Sequence, residues 1–153
     1  MTSKKLKIVI VDDDSVNLEI LKNALSDLYD VYTVSDGLKS IETFEKVMPD
    51  LIILDIMMPN IDGVSIYIAQ NQHPKLEKIP VIFVTAIDDV EYKIQLLEWG
   101  INDYITKPYN VEEIRARIKR AMLQIEEKKD LEQNLKKLES ILKTNTSNPK
   151  SKS

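Results

Sequence analysis

The strongest constraint on this chain is a strict alternation of two residue patterns. Five short runs of β-branched and aliphatic residues, at 6–11, 31–34, 51–54, 81–85 and 103–105, are each followed by a segment with helical periodicity. Those segments are 16–28, 38–47, 64–72, 90–99 and a long stretch from Val111. Leu18, Leu21, Leu25 and Leu28 define the buried stripe of the first, and Leu38 and Ile41 lie opposite Glu42 and Glu45 in the second. Asp14 is placed to cap the first helix, and Gly100 to close the fourth. Near-continuous apolar strands between amphipathic helices predict a parallel sheet covered on both faces. Right-handed crossovers then give a doubly wound α/β sandwich. In such sheets ligands bind beyond the carboxyl ends of the strands, so function is to be sought in the residues just after each strand.

Composition removes several alternatives. The chain of 153 residues has no Cys, one His and three widely spaced Gly. Thiolate metal sites, disulfides, a cysteine nucleophile, a His–His zinc helix and a glycine-rich nucleotide loop are thereby excluded. Its longest apolar runs, such as 8–11 and 51–54, have four residues, against the roughly 20 of a membrane span. Asp12 interrupts the first run too early for a signal peptide. A soluble, cytoplasmic chain with no membrane partner is expected. Residues 1–110 hold 10 Lys/Arg and 18 Asp/Glu, a net of −8, whereas 111–153 hold 11 and 7, a net of +4. The acidic body speaks against nucleic-acid affinity, and the basic tail is interleaved with Glu like a solvated helix, so no nucleic-acid partner is expected.

The segment 111–142 carries two apolar sets with the same 4-3-4 spacing: Ile114, Ile118, Ala121 and Ile125, then Leu131, Leu135, Leu138 and Leu142. A 3-3 step through Lys128, a stammer, joins them. The first set is expected to pack on the sheet as the fifth helix. The second has nothing within the domain to pack against and suits a short coiled coil with another chain, including a homodimer. The expected organisation is a domain over 1–123, a helical or coiled-coil extension over 124–143, and a disordered polar tail over 144–153.

The strand ends hold the chemistry. The first is followed by Asp12, Asp13 and Asp14, the third by Asp55, the fourth by Thr85 and Ala86, and the fifth by Lys107 and Pro108. Carboxylates converging on one crevice repel one another unless protonated or shared with a cation. An oxygen-only donor set selects Mg²⁺, Mn²⁺ or Ca²⁺, and few protein ligands with open positions suits Mg²⁺. A cation, an ammonium and a hydroxyl around one Asp form a site able to stabilise a phosphoryl group on that Asp.

The motifs IVIVDDD (8–14), LIILDIMMPNIDG (51–63), VIFVTA (81–86) and NDYITKP (102–108) closely resemble those of the receiver domain of two-component response regulators, over about residues 5–123. The resemblance implies a flavodoxin-like strand order, 2-1-3-4-5, with an extended fifth helix. It implies Asp55 as phosphoacceptor, Asp13 as direct Mg²⁺ ligand (Mn²⁺ as substitute), Asp12 supporting the metal through water, and the Met57 carbonyl as a further ligand. Thr85 is similar to the hydroxyl that bonds the phosphoryl group and moves on activation, Lys107 to the ammonium that pairs with it, and Tyr104 to the aromatic switch. A cis Lys107–Pro108 peptide is implied as well. The implied partner is a sensor histidine kinase or phosphotransfer protein. The implied activity is a switch that catalyses only its own phosphorylation and dephosphorylation. Met57 and Ile87, apolar at the two variable positions that flank the family's site, imply slow loss of the phosphoryl group. Ile101 stands where the family often has a small residue, so partner identity does not transfer.

Plainer roles are expected nearby. Asp14 is a cap, Asp62 and Gly63 with Pro59 are turn chemistry, His73 is incidental, and Met58 packs the loop. Plain core packing is the alternative for Tyr104. Competing functions are an aspartyl-phosphate hydrolase, which would need a second Asp where Met57 stands, and a flavodoxin-like nucleotide binder, whose phosphate Asp12–Asp14 would repel. A coiled-coil adaptor, or the front of a longer regulator with a cyclase or kinase output, is compatible with the main reading.

Overall fold

The computed structural model describes residues 5–86, 90–101, 103–108 and 110–147. The strands are β1 (Lys7–Val11), β2 (Asp30–Val34), β3 (Leu51–Asp55), β4 (Val81–Thr85) and β5 (Asp103–Thr106). The helices are α1 (Ser15–Leu25), α2 (Ser40–Val47), α3 (Gly63–Asn71), α4 (Val90–Glu98) and α5 (Val111–Ser147). The five strands form one parallel sheet in the order β2-β1-β3-β4-β5. This is the doubly wound architecture that the alternation predicts. By contact the chain divides into two units, Met1–Ile118 and Lys119–Ser153.

Burial explains why these runs become strands. Every residue of β3 and β4 is buried, as are residues 8–11 of β1. A strand apolar on both faces is stable only between two layers, so helices must lie on both sides. One core cluster joins Val9, Val11, Phe44, Ile52, Leu54, Ile66 and Phe83, with the edge of one ring of the Tyr67–Phe83 pair against the face of the other at 5.5 Å. Ile114 and Ile118 are fully buried, as their spacing implies.

Boundaries differ from the periodicity where local hydrogen bonding takes over. α1 ends at Leu25 rather than 28, because the N–H groups of Leu28 and Tyr29 both donate to the Leu25 carbonyl (3.1 and 3.0 Å) and close the last turn. Leu28 is consequently exposed. Leu38 is exposed too, since Gly37–Lys39 form a separate 3-10 turn capped by Asp36 before α2 begins. α4 ends at Glu98, and Gly100 follows at φ +87°, the left-handed conformation that suits a closing glycine. α5 continues to Ser147, so 144–147 are helical rather than part of the tail; the Thr144 hydroxyl donates to the Ser140 carbonyl (3.0 Å). The remainder of the expected disordered tail, 148–153, lies outside the described residues, as do Ile87 and Asn102.

Two arginines, Arg115 and Arg117, fix the start of α5. Arg115 donates to the Ala24 carbonyl (2.6 Å) and pairs with Asp27 (3.1 Å), which holds the Asp27 carboxyl below its usual range. Arg117 pairs with Asp103 on β5 (2.7 Å) and with Glu113 one turn earlier (3.0 Å).

Candidate functional site

The parallel register brings the ends of β1, β3, β4 and β5 to one edge. Val11 is level with Leu54, Asp55 with Val84, and Thr85 with Thr106. The residues that follow therefore meet, although they are far apart in the chain. The Asp12 N–H donates to the Val34 carbonyl (3.1 Å), and the Lys107 N–H to the Thr85 carbonyl (2.8 Å), so both site residues are carried by continuation of the sheet. Lys107–Pro108 is a cis peptide, as the resemblance implies.

The acidic triplet divides its work. The Asp14 carboxylate accepts from the N–H groups of Val16 (2.9 Å) and Asn17 (3.5 Å) and caps α1. Asp12 turns inward and accepts from the Asp14 N–H (2.9 Å). Asp13 stays exposed at the mouth. Carboxylate oxygens of Asp12, Asp13 and Asp55 lie within 4.8 Å of one another. Asp12 and Asp55 are each only 2% exposed, so their mutual repulsion is poorly screened.

One ammonium answers this. Lys107 Nζ lies 3.2 Å from Asp55 Oδ2 and 3.4 Å from Asp12 Oδ2, and it donates a hydrogen bond to Asp55. Asp55 Oδ1 accepts from the Met57 N–H (3.3 Å). A single positive charge does not balance the cluster. Burial first, and then the Asp12 charge, push the Asp55 carboxyl from 3.8 up to about 6 despite Lys107. Burial opposes the charge on Lys107, but Asp12 and Asp55 outweigh it and raise its pKa. The cluster thus has unmet demand for positive charge in an all-oxygen setting, and a hard divalent cation fits it.

Thr85 is fully buried at the end of β4, beside this crevice. Tyr104 is partly buried on β5 against the core cluster, and the Lys93 ammonium of α4 lies 4.9 Å from the centre of its ring. The Met57 side chain is exposed next to Asp55. His73 lies in the segment after α3, where its Nδ1 accepts from the Lys75 N–H (3.2 Å), away from the cluster.

Sequence reasoning missed two features. Lys93 over Tyr104 follows no periodic spacing and has no signal in one sequence. Gly63 is more than a turn residue: it opens α3 behind Asp62, whose carboxylate caps the helix at the Ser65 N–H (2.7 Å). A Cβ on Gly63 would overlap the Asp55 carbonyl oxygen and come within 3.0 Å of the Ile56 Cα. Rigid backbone cannot yield cheaply, so Gly63→Ala is expected to cost about 2–3 kcal/mol. Urea unfolding checks this; an unchanged midpoint would show that the close approach is not needed.

Comparison with known proteins agrees with this fold. The family model described as the response regulator receiver domain matches residues 8–119. The DNA-binding dual master transcriptional regulator RpaA of Synechocystis sp. is 38% identical over 124 residues, covering 76% of this chain and 48% of that protein. The alkaline phosphatase synthesis transcriptional regulatory protein PhoP of Bacillus subtilis is 40% identical over 114 residues, covering 74% and 47%. Among solved structures, the receiver domain of Francisella response regulator 1452 superposes with a TM-score of 0.71 at 28% identity, covering 81% of this chain and 99% of its own. The chain spans about half the length of the full-length relatives it matches.

Proposed function

The chain belongs to the response regulator receiver family, and from that premise we propose that it is a phosphorylation-operated switch with Asp55 as phosphoacceptor. The observation that carries this is the buried Asp55 carboxylate, held by Lys107 at 3.2 Å within a cluster of acids that lacks enough positive charge. Asp12, Asp13 and Asp55, with the Met57 carbonyl, would hold Mg²⁺, or Mn²⁺ in its place. The ion would neutralise charge on the transferring group.

The protein's own residues supply the rest. An Asp55 oxygen attacks the phosphorus of a phosphohistidine on a sensor kinase or phosphotransfer protein. An O–P bond forms as the P–N bond breaks, and the histidine nitrogen leaves with the electron pair. Lys107 holds Asp55 in place and then pairs with a phosphoryl oxygen. The Thr85 hydroxyl donates to another. Catalysis is positioning and electrostatics, and the protein acts as a switch with no turnover of free substrate.

The product adds about −1.5 to −2 charges beside Lys107 and Thr85. Only a conformation in which both engage that charge gains from it, so the population shifts toward that conformation. Moving from 1:99 to 99:1 needs about 5.5 kcal/mol of differential contact. Tyr104 is placed to follow Thr85. Transfer from phosphorylated kinases to the wild-type chain, with none to an Asp55→Asn control, tests the reading. Transfer to both would refute it.

Phosphoryl lifetime is a separate proposal. Met57 and Ile87 offer no hydrogen bond to an attacking water, so decay is slow. Ile87→Glu should speed it about tenfold, or ~1.4 kcal/mol of barrier. A decay rate equal to wild type would contradict this.

Output is carried by protein contacts or by a domain outside this sequence. Relatives about twice as long are named as transcriptional regulators, one of them as DNA-binding. A nucleic-acid function of a longer protein is therefore compatible with an acidic receiver that does not itself bind DNA. Among the described residues, no helix is long and apolar enough to cross a membrane, and we place the receiver in the cytoplasm, where its phosphodonor kinases act. A hydrolase reading is less well supported, because Met57 cannot serve as the second carboxylate of such a site.

A further inference from the structure

We propose that residues 124–147 form a parallel two-stranded coiled coil with a second copy of this chain, with Lys128 as the polar element that sets its register. In α5, Leu131, Leu135, Leu138, Ile141 and Leu142 are 50–60% exposed although the helix continues through all of them. Leu131 and Leu138 take the d positions of a heptad, and Leu135 and Leu142 the a positions, so four leucines form one seam. Lys128 and Asn145 extend the same seam at a and d on either side.

Charge placement favours a second copy in parallel. Glu127 is at g and Glu132 at e, one on each side of Lys128. In a parallel pair, each Lys128 ammonium meets Glu127 of the second copy and lies one turn from Glu132 on its own helix. Two lysines are then enclosed by four glutamates, and the g-to-e repulsion between Glu127 and Glu132 is offset by the lysine between them. An antiparallel pair that keeps all four leucine layers would set Lys128 opposite Asn145 and bring Glu132 against Glu139 with no cation between. Glu132 with Lys136 and Glu139 with Lys143, each four apart, support the single helix in either case. A lysine at a weakens the seam while fixing its alignment. Four leucine layers are a short seam, so the association is weak and concentration-dependent. The inference is independent of the phosphoryl chemistry.

Sedimentation velocity on the full chain tests this. The wild-type chain should show a reversible monomer–dimer equilibrium. Leu135→Glu with Leu138→Glu, both at exposed positions, should raise the dissociation constant at least about 100-fold, and Lys128→Leu should lower it about tenfold. Because the chain has no Cys, orientation is readable by oxidation. Asn145→Cys should give a disulfide-linked dimer in a parallel pair. The Lys128→Cys and Asn145→Cys variants mixed together should give no preferred cross-link to each other. A wild-type chain that stays monomeric at all concentrations, a dimer untouched by the double glutamate variant, or preferential Lys128→Cys to Asn145→Cys linkage would each overturn the proposal. Phosphoryl uptake by the double glutamate variant should equal wild type, so failure of the dimer and failure of the receiver reading are told apart.

Discussion

Asp55→Asn is expected to leave the fold intact and to abolish phosphoryl uptake from acetyl phosphate, a loss of at least about three orders of magnitude. The substitution keeps shape and volume but replaces the attacking carboxylate with an amide that is far less nucleophilic. Asp12 is not expected to take over, because one of its carboxylate oxygens is committed to the Asp14 N–H (2.9 Å). Asp13 stays exposed at the mouth, whereas the Lys107 ammonium holds the Asp55 carboxylate at 3.2 Å. Uptake is checked by intact-protein mass spectrometry after incubation with acetyl phosphate and Mg²⁺. A variant that is labelled as fully as wild type would remove Asp55 from the mechanism.

The same substitution has a second, opposite consequence for stability. The Asp55 carboxyl is raised from 3.8 to about 6, chiefly by burial and then by Asp12. Between those values the folded protein binds more protons than the unfolded chain. Stability must therefore fall as pH rises through that window. The full effect of such a shift is about 3 kcal/mol, and relaxation at the partly open mouth reduces it. Asp55→Asn removes the penalty, and Lys107 keeps Asp12 as a partner at 3.4 Å. In chelator, the variant should be more stable than wild type by about 1–3 kcal/mol at neutral pH, and the two should converge near pH about 4. Added Mg²⁺ should stabilise wild type more than the variant. Urea unfolding across pH measures all three. A variant less stable than wild type at neutral pH would mean that the acids are already balanced.

These two effects show what the residues alone could convey. The parallel sheet and the meeting of Asp12, Asp13, Asp55, Thr85 and Lys107 at one edge were legible, because each stands at or just after the end of a strand run and the register of a parallel sheet aligns the run ends, whereas the strand order came from the resemblance to receiver domains. The cap at Asp14 was legible from residue type and place. Leu28 and Leu38 were misplaced because periodicity continues beyond the point where local hydrogen bonds end or begin a helix. The closeness of Gly63 to the Asp55 carbonyl, and of Lys93 to Tyr104, depends on how a helix sits against a strand, which pattern does not encode. That Lys107 bridges both buried acids, rather than standing near one, is a matter of tenths of an ångström.

The account rests on a carboxylate that carries phosphorus in a site completed by a divalent cation. The direct measurement is to phosphorylate the wild-type chain with acetyl phosphate, with and without Mg²⁺, reduce the acyl phosphate with borohydride, and locate the modified residue by peptide mass spectrometry. The expected result is modification at Asp55 alone, present with Mg²⁺ and lost in chelator. Modification elsewhere, at Asp13 or His73 for instance, or labelling at Asp55 that is indifferent to the metal, would contradict it.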